Sequence, residues 1–151
     1  MKLRDEIKQT KPFESAEQEA FLSLQRTAEH LLRRSVEVLK PWDLSMTQYN
    51  VLRILRGAGK NGLPCSEIGE RMVTEDSDIT RLLDRLEKKG LIERARSAHD
   101  RRVVTARATR KALQLLSRLD APVRDSAKQL MGGLSAQELE TFSATLERLR
   151  T

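Results

Sequence analysis

Ser77, Thr80, Arg81, Arg85 and Lys88 bring hydroxyls and cations to one stretch of chain, at intervals a helical period stacks on one side. Arginine can bond base edges bidentately, while serine, threonine and lysine suit base edges or phosphate oxygens. A second concentration follows at once. Arg94, Arg96, Arg101, Arg102 and Arg107 set five guanidiniums between residues 94 and 107, with Asp100 among them. Arginine in that density fits a narrow minor groove, where the potential is most negative over A-tracts. The chemistry on offer is reversible binding of a structured polyanion. On a lone helix these cations would read as a solvated face, and Arg85 or Lys88 could pair with Asp84. Their place directly ahead of a basic hairpin favours nucleic-acid contact, most of all for Arg81.

Other chemistry is poorly provided for. There is no nucleophile–base pair, glycine-rich phosphate loop or paired set of metal ligands, so we expect no enzyme, catalytic residue, metal or cofactor. His30 and His99 are the only histidines and lie far apart. The single cysteine, Cys65, adjoins a glutamate's turn and has no resolving partner, so packing is preferred over a redox role. Lysine and arginine total 28 against 22 acids, a net charge of +6 that favours polyanion partners. Aromatics are only 3%, too few for stacking platforms on single strands. The start, MKLRDEIKQTK, has no apolar core, and nothing approaches the ~18 apolar residues of a membrane span. A soluble, cytoplasmic chain is expected.

Helices must position those side chains. Residues 1–12 read as a polar arm ending at Pro12. Phe21, Leu24, Ala28, Leu31, Leu32 and Leu39 then mark a long amphipathic helix over 13–39, stopped before Pro41. Ser45 and Gln48 spell a capping box, with Leu44 and Tyr49 as its apolar staple, and Val51, Leu52, Ile54 and Leu55 form a buried face. A short helix follows over 65–72. The DNA-facing helix is expected to begin near Thr74, with Glu75, Asp76 and Asp78 in its first turn, and to bury Ile79, Leu82, Leu83 and Leu86. Strands are expected at 91–96 and 102–108. A long helix over 109–131, kinked at Pro122, and a last one capped by Ser135 and Glu138 complete the chain.

The predicted fold is mainly α with a small β-wing: a winged helix-turn-helix flanked by long helices. We divide it into an N-terminal arm and dimerisation helix (1–44), a DNA-binding region (45–108) and C-terminal dimerisation helices (109–151), all within one integrated domain. The flanking helices carry more apolar stripe than this core needs, so a two-fold homodimer is expected.

The run TQYNVLRIL, then SEIGERM, then SDITRLLDRLEKKGLIERARSAHDRRVV resembles the MarR-type winged helix-turn-helix transcriptional regulators, roughly over residues 44–111. That resemblance implies a dimer on a pseudo-palindromic double-stranded operator, usually a repressor, often released by a small and commonly phenolic effector. It also implies base contact from Ser77, Thr80 and Arg81. Asp100 and Arg102 match the wing's D-x-R pair, whose carboxylate orients the tip. Arg101 and Arg102 are both candidates for the arginine in the minor groove. Asp76 and Asp78 depart from the family's basic, serine or threonine residues, and Ala112 stands where its members usually have glycine. His30, Arg33, Arg34, Trp42 and Tyr49 are candidates for an effector cleft, although Trp42 and Tyr49 also read as core anchors. The rival reading is a protein–protein scaffold built on a winged helix that rejects DNA.

Overall fold

The structure, a computed structural model, describes residues 2–150; Met1 and Thr151, which bound the outer regions proposed above, lie outside the described residues. The expected loose arm contains a single helical turn, α1 (Leu3–Glu6), and the Arg4 side chain donates to the carbonyls of Gln9 and Thr10. Helix α2 (Ala16–Leu39) starts three residues later than expected, because Ser15 takes the N-cap and accepts from the Gln18 N–H. Pro41 turns its end into a 3-10 segment, Lys40–Trp42, closed by Asp43 at φ 52°.

Helix α3 (Met46–Ala58) has both reciprocal bonds of the capping box between Ser45 and Gln48. Its apolar face, Val51, Leu52 and Leu55, is fully buried and sits at the centre of the core. A strand absent from the sequence reading comes next. Strand β1 (Leu63–Pro64) pairs with the third strand, and Gly62 before it has φ 68°. A Cβ at Gly62 would stand 2.2 Å from the Ala106 carbonyl oxygen, so glycine is what lets the chain pass there.

Helix α4 (Cys65–Glu70) leads to α5 (Ile79–Lys88), which begins later than the expected Thr74. The acids read as first-turn residues lie ahead of it, and two of them shape its entry. Asp78 is the N-cap and its carboxylate accepts from the Arg81 N–H, while Asp76 accepts from the Asp78 N–H. Side-chain oxygens thus replace helical bonds over 74–78 and hold that segment as a turn. Leu82, Leu83 and Leu86 of α5 are buried as predicted.

Strands β2 (Ile92–Arg96) and β3 (Val104–Ala108) pair antiparallel in the register Ile92↔Ala108, Arg94↔Ala106 and Arg96↔Val104. The sheet order β1-β3-β2 leaves β2 at an edge. Both strands start later than expected: β3 because the Asp100 carbonyl accepts from the Val103 N–H and lengthens the turn, and β2 because the Leu91 N–H is given to the Leu86 carbonyl at the end of α5. Helix α6 (Arg110–Met131), capped by Thr109, runs on through Pro122 as one helix. Helix α7 (Ala136–Arg148) has the predicted box of Ser135 and Glu138.

The core lies among α3, α5, α6 and the sheet, with Leu116 and Leu119 of α6 fully buried in it. Arg56 of α3 grips Asp120 of α6 through two hydrogen bonds of 3.0 Å. Helix α7 buries no residue completely and packs extensively on no other element.

Candidate nucleic-acid interface

Burial of Leu82, Leu83 and Leu86 turns the opposite side of α5 outward. Thr80, Arg81, Arg85 and Lys88 are all exposed there, and Ser77 is exposed in the turn just before the helix. Ser77 therefore sits ahead of the helix and not on it. Among the described residues, none of Arg81, Arg85 and Lys88 is in an ion pair; Asp84, their expected partner, is taken by Arg94 at 2.5 Å. The cations are held on a rigid element, yet their charge is free for an outside partner.

The hairpin sorts its five arginines into two groups. Arg94 binds Asp84 and Glu87, and Arg107 binds Glu93 across the strand pair at 2.7 and 3.0 Å. These two are structural. Arg96, Arg101 and Arg102 are exposed, with Arg96 Nη1 donating only to the Arg101 carbonyl at 3.4 Å. Asp100 organises the tip: its Oδ1 accepts from the Arg102 N–H at 2.9 Å, and Ser97 Oγ accepts from the His99 N–H. The turn therefore projects Arg101 and Arg102 from a backbone fixed by local hydrogen bonds.

Several positioning groups escaped the sequence reading. Asn50 Oδ1 accepts from the Val73 N–H at 2.7 Å, tying α3 to the turn before α5. Lys89 binds the Asp43 carboxylate at 3.0 Å, and Lys111 Nζ donates to the Lys89 carbonyl at 2.7 Å, anchoring the far end of α5. The only signal for Asn50 was a polar residue at the edge of an apolar run.

The effector candidates do not form one cluster. Arg34 and Trp42 share an open groove of about 720 Å³ with Pro122 and Leu130. Tyr49 lines a separate pocket of about 100 Å³ with Met46 and Val123, and burial pushes its phenol upward in pKa. His30 is exposed on α2, outside both cavities. Burial likewise pushes the Cys65 thiol up, consistent with its packing against the core. Among the described residues, no three histidine, cysteine or acidic side chains gather as a metal site, and no helix is long and apolar enough to cross a membrane.

With this geometry in place, similarity to known proteins is specific. The model of the MarR family matches residues 44–104. A MarR transcription factor from Planctomyces limnophilus is 38% identical, with 90% of this chain and 98% of that one aligned at a TM-score of 0.70. A cysteine-to-serine mutant of MarR from E. coli, solved with operator DNA, is 26% identical over 83% of this chain and 89% of its own, at 0.76. An organohalide-sensing transcriptional regulator bound to 2,4-dichlorophenol shares the fold at a TM-score of 0.81, with 22% identity over 94% of this chain and 86% of that one. The exposed cations of α5, the arginine-tipped hairpin and this kinship agree: the chain belongs to the MarR family and is a DNA-binding transcriptional regulator.

Proposed function

We propose that the protein is a cytoplasmic, homodimeric repressor, a binding protein and not an enzyme, that grips a pseudo-palindromic operator and releases it when a small effector binds. One observation carries the reading. Arg81, Arg85 and Lys88 on α5, and Arg101 and Arg102 on the wing, are exposed cations without an acidic partner among the described residues. Ser77, Thr80 and Arg81 read base edges, Arg85, Lys88 and Arg96 anchor phosphates, and Arg101 or Arg102 enters the minor groove beside a tip set by Asp100. The operator complex of the E. coli relative supports operator binding as such. The open groove at Arg34 and Trp42 is the candidate effector site, with Tyr49 in the smaller pocket beside α2 and His30 outside both, exposed on α2.

Selection of bound DNA from a random duplex pool tests the proposal. An inverted repeat with half-site centres about one helical turn apart, ~34 Å, is expected, with affinity falling steeply as salt rises. Absent or salt-insensitive binding would instead support a scaffold that uses its winged helix for protein contacts.

A further inference from the structure

The DNA-facing side of α5 contains a charge that opposes its task. Asp84 lies three residues after Arg81 and four before Lys88, so the helical period puts its carboxylate between them. Unpaired, it would face phosphates and repel them. Arg94 of β2 eases that conflict, as one cation set against two carboxylates. Its Nη2 donates to Asp84 Oδ1 at 2.5 Å and to Glu87 Oε2 at 2.7 Å, and its Nε donates to Glu87 Oε2 at 3.1 Å. The guanidinium is the most enclosed member, at 23% exposure against 47% for Asp84 and 39% for Glu87.

The backbone joins the same contact. Thr109 N–H donates to the Leu91 carbonyl and Ser97 N–H to the Val103 carbonyl, so the odd-numbered residues of β2 bond toward β3. The N–H of Arg94 then points off the free edge of the sheet. Glu87 Oε1 accepts it at 3.1 Å. One carboxylate of α5 therefore holds both the side chain and the main chain of the wing's first strand.

We propose that Arg94 is a positioning residue for DNA recognition: clamped by Asp84 and Glu87, it fixes the wing's angle to α5 and partly offsets the Asp84 charge at the DNA face. Major-groove and minor-groove contacts are thereby made as a unit. The inference rests on the DNA-binding reading above, and its test separates the two.

Glu87→Gln gives a test by sign. Deleting one negative charge beside a polyanion site should tighten binding if Glu87 is a bystander. The clamp gives the reverse: binding to the selected duplex weakens by roughly tenfold, as for loss of a charge-assisted hydrogen bond. Arg94→Lys, which keeps the charge but cannot span both carboxylates, moves in the same direction. In the Glu87→Gln background, Arg102→Ala costs less than in the wild type, because the wing is already displaced. Unchanged or tighter binding by Glu87→Gln, or full additivity with Arg102→Ala, overturns the proposal. Amide exchange over residues 92–96, measured without DNA, should quicken in Glu87→Gln; unchanged exchange overturns the clamp. A wild-type protein that binds no DNA sinks the underlying reading, while the exchange result still decides whether the clamp holds the wing.

Discussion

Arg81 has the setting of a base reader. Its backbone N–H is held by the Asp78 carboxylate at 2.9 Å, its helix is seated by three buried leucines, and its guanidinium has no acidic partner among the described residues. The backbone that carries it is thus pre-set, while the unpaired guanidinium remains available to an outside partner. Arg81→Ala should weaken binding to the selected duplex by on the order of 1–3 kcal/mol and relax preference at one base position. Competition titrations with single-base variants of that duplex check it; a uniform loss over every variant would make Arg81 a phosphate anchor. Exposure of these side chains was legible in the sequence, because the period of Leu82, Leu83 and Leu86 fixes which side of the helix is free. The pairing of arginines was not. Arg94 and Arg107 look like Arg96 and Arg102 in the sequence, but their acidic partners come from another element or the opposite strand, at separations local spacing cannot rank.

Helix starts were legible wherever one side chain closes the first turn, as the boxes at Ser45–Gln48 and Ser135–Glu138 show. The start of α5 was misplaced because three closely spaced acids, Glu75, Asp76 and Asp78, satisfy two rules at once. Carboxylates complement the dipole from inside the first turn, and they also cap from outside it. Asp78 does the latter, and Asp76 holds the Asp78 N–H in the turn before it. Strand β1 left no trace, since two residues ending in proline have no alternation; it exists because Gly62 lets the chain pass close to Ala106. Another interelement contact has a pH signature. Two hydrogen bonds from Arg56 hold the Asp120 carboxyl below its ordinary value near 3.8 and join α3 to α6. A depressed carboxyl stabilises the fold above its unfolded-state pKa, and that contribution disappears as pH falls through the folded value. Asp120→Asn should therefore have a lower melting temperature than the wild type at neutral pH, with the gap closing below about pH 4. A gap that stays constant under acid would remove the pair as its cause.

For the whole molecule, the question is what covers α7. Its 13 residues, about three and a half turns, are too few to be stable alone in water, whatever its capping box contributes. Within the chain no other element packs extensively on it, and Phe142 stays 37% and Leu149 69% exposed. On α2, Phe21 and Leu32 are 60% and 53% exposed, so the unburied stripe continues on the other flanking helix. A second copy is the occupant whose surface is matched by construction, since a two-fold axis sets each stripe against its own kind. In the proposed homodimer the same axis would set two α5–wing units at a fixed spacing, so that the second half-site is bound at a high effective concentration. Phe142→Asp puts a charge into that seam. Sedimentation should find the variant as a monomer at concentrations where the wild type is dimeric, and helicity should fall as α7 loses its cover. Affinity for the full inverted repeat should drop by roughly 10²–10⁴, while binding to an isolated half-site changes little, because α7 makes no extensive contact with the α5–wing unit. A Phe142→Asp protein that stays dimeric and keeps full-site affinity would place the pairing surface elsewhere on the chain.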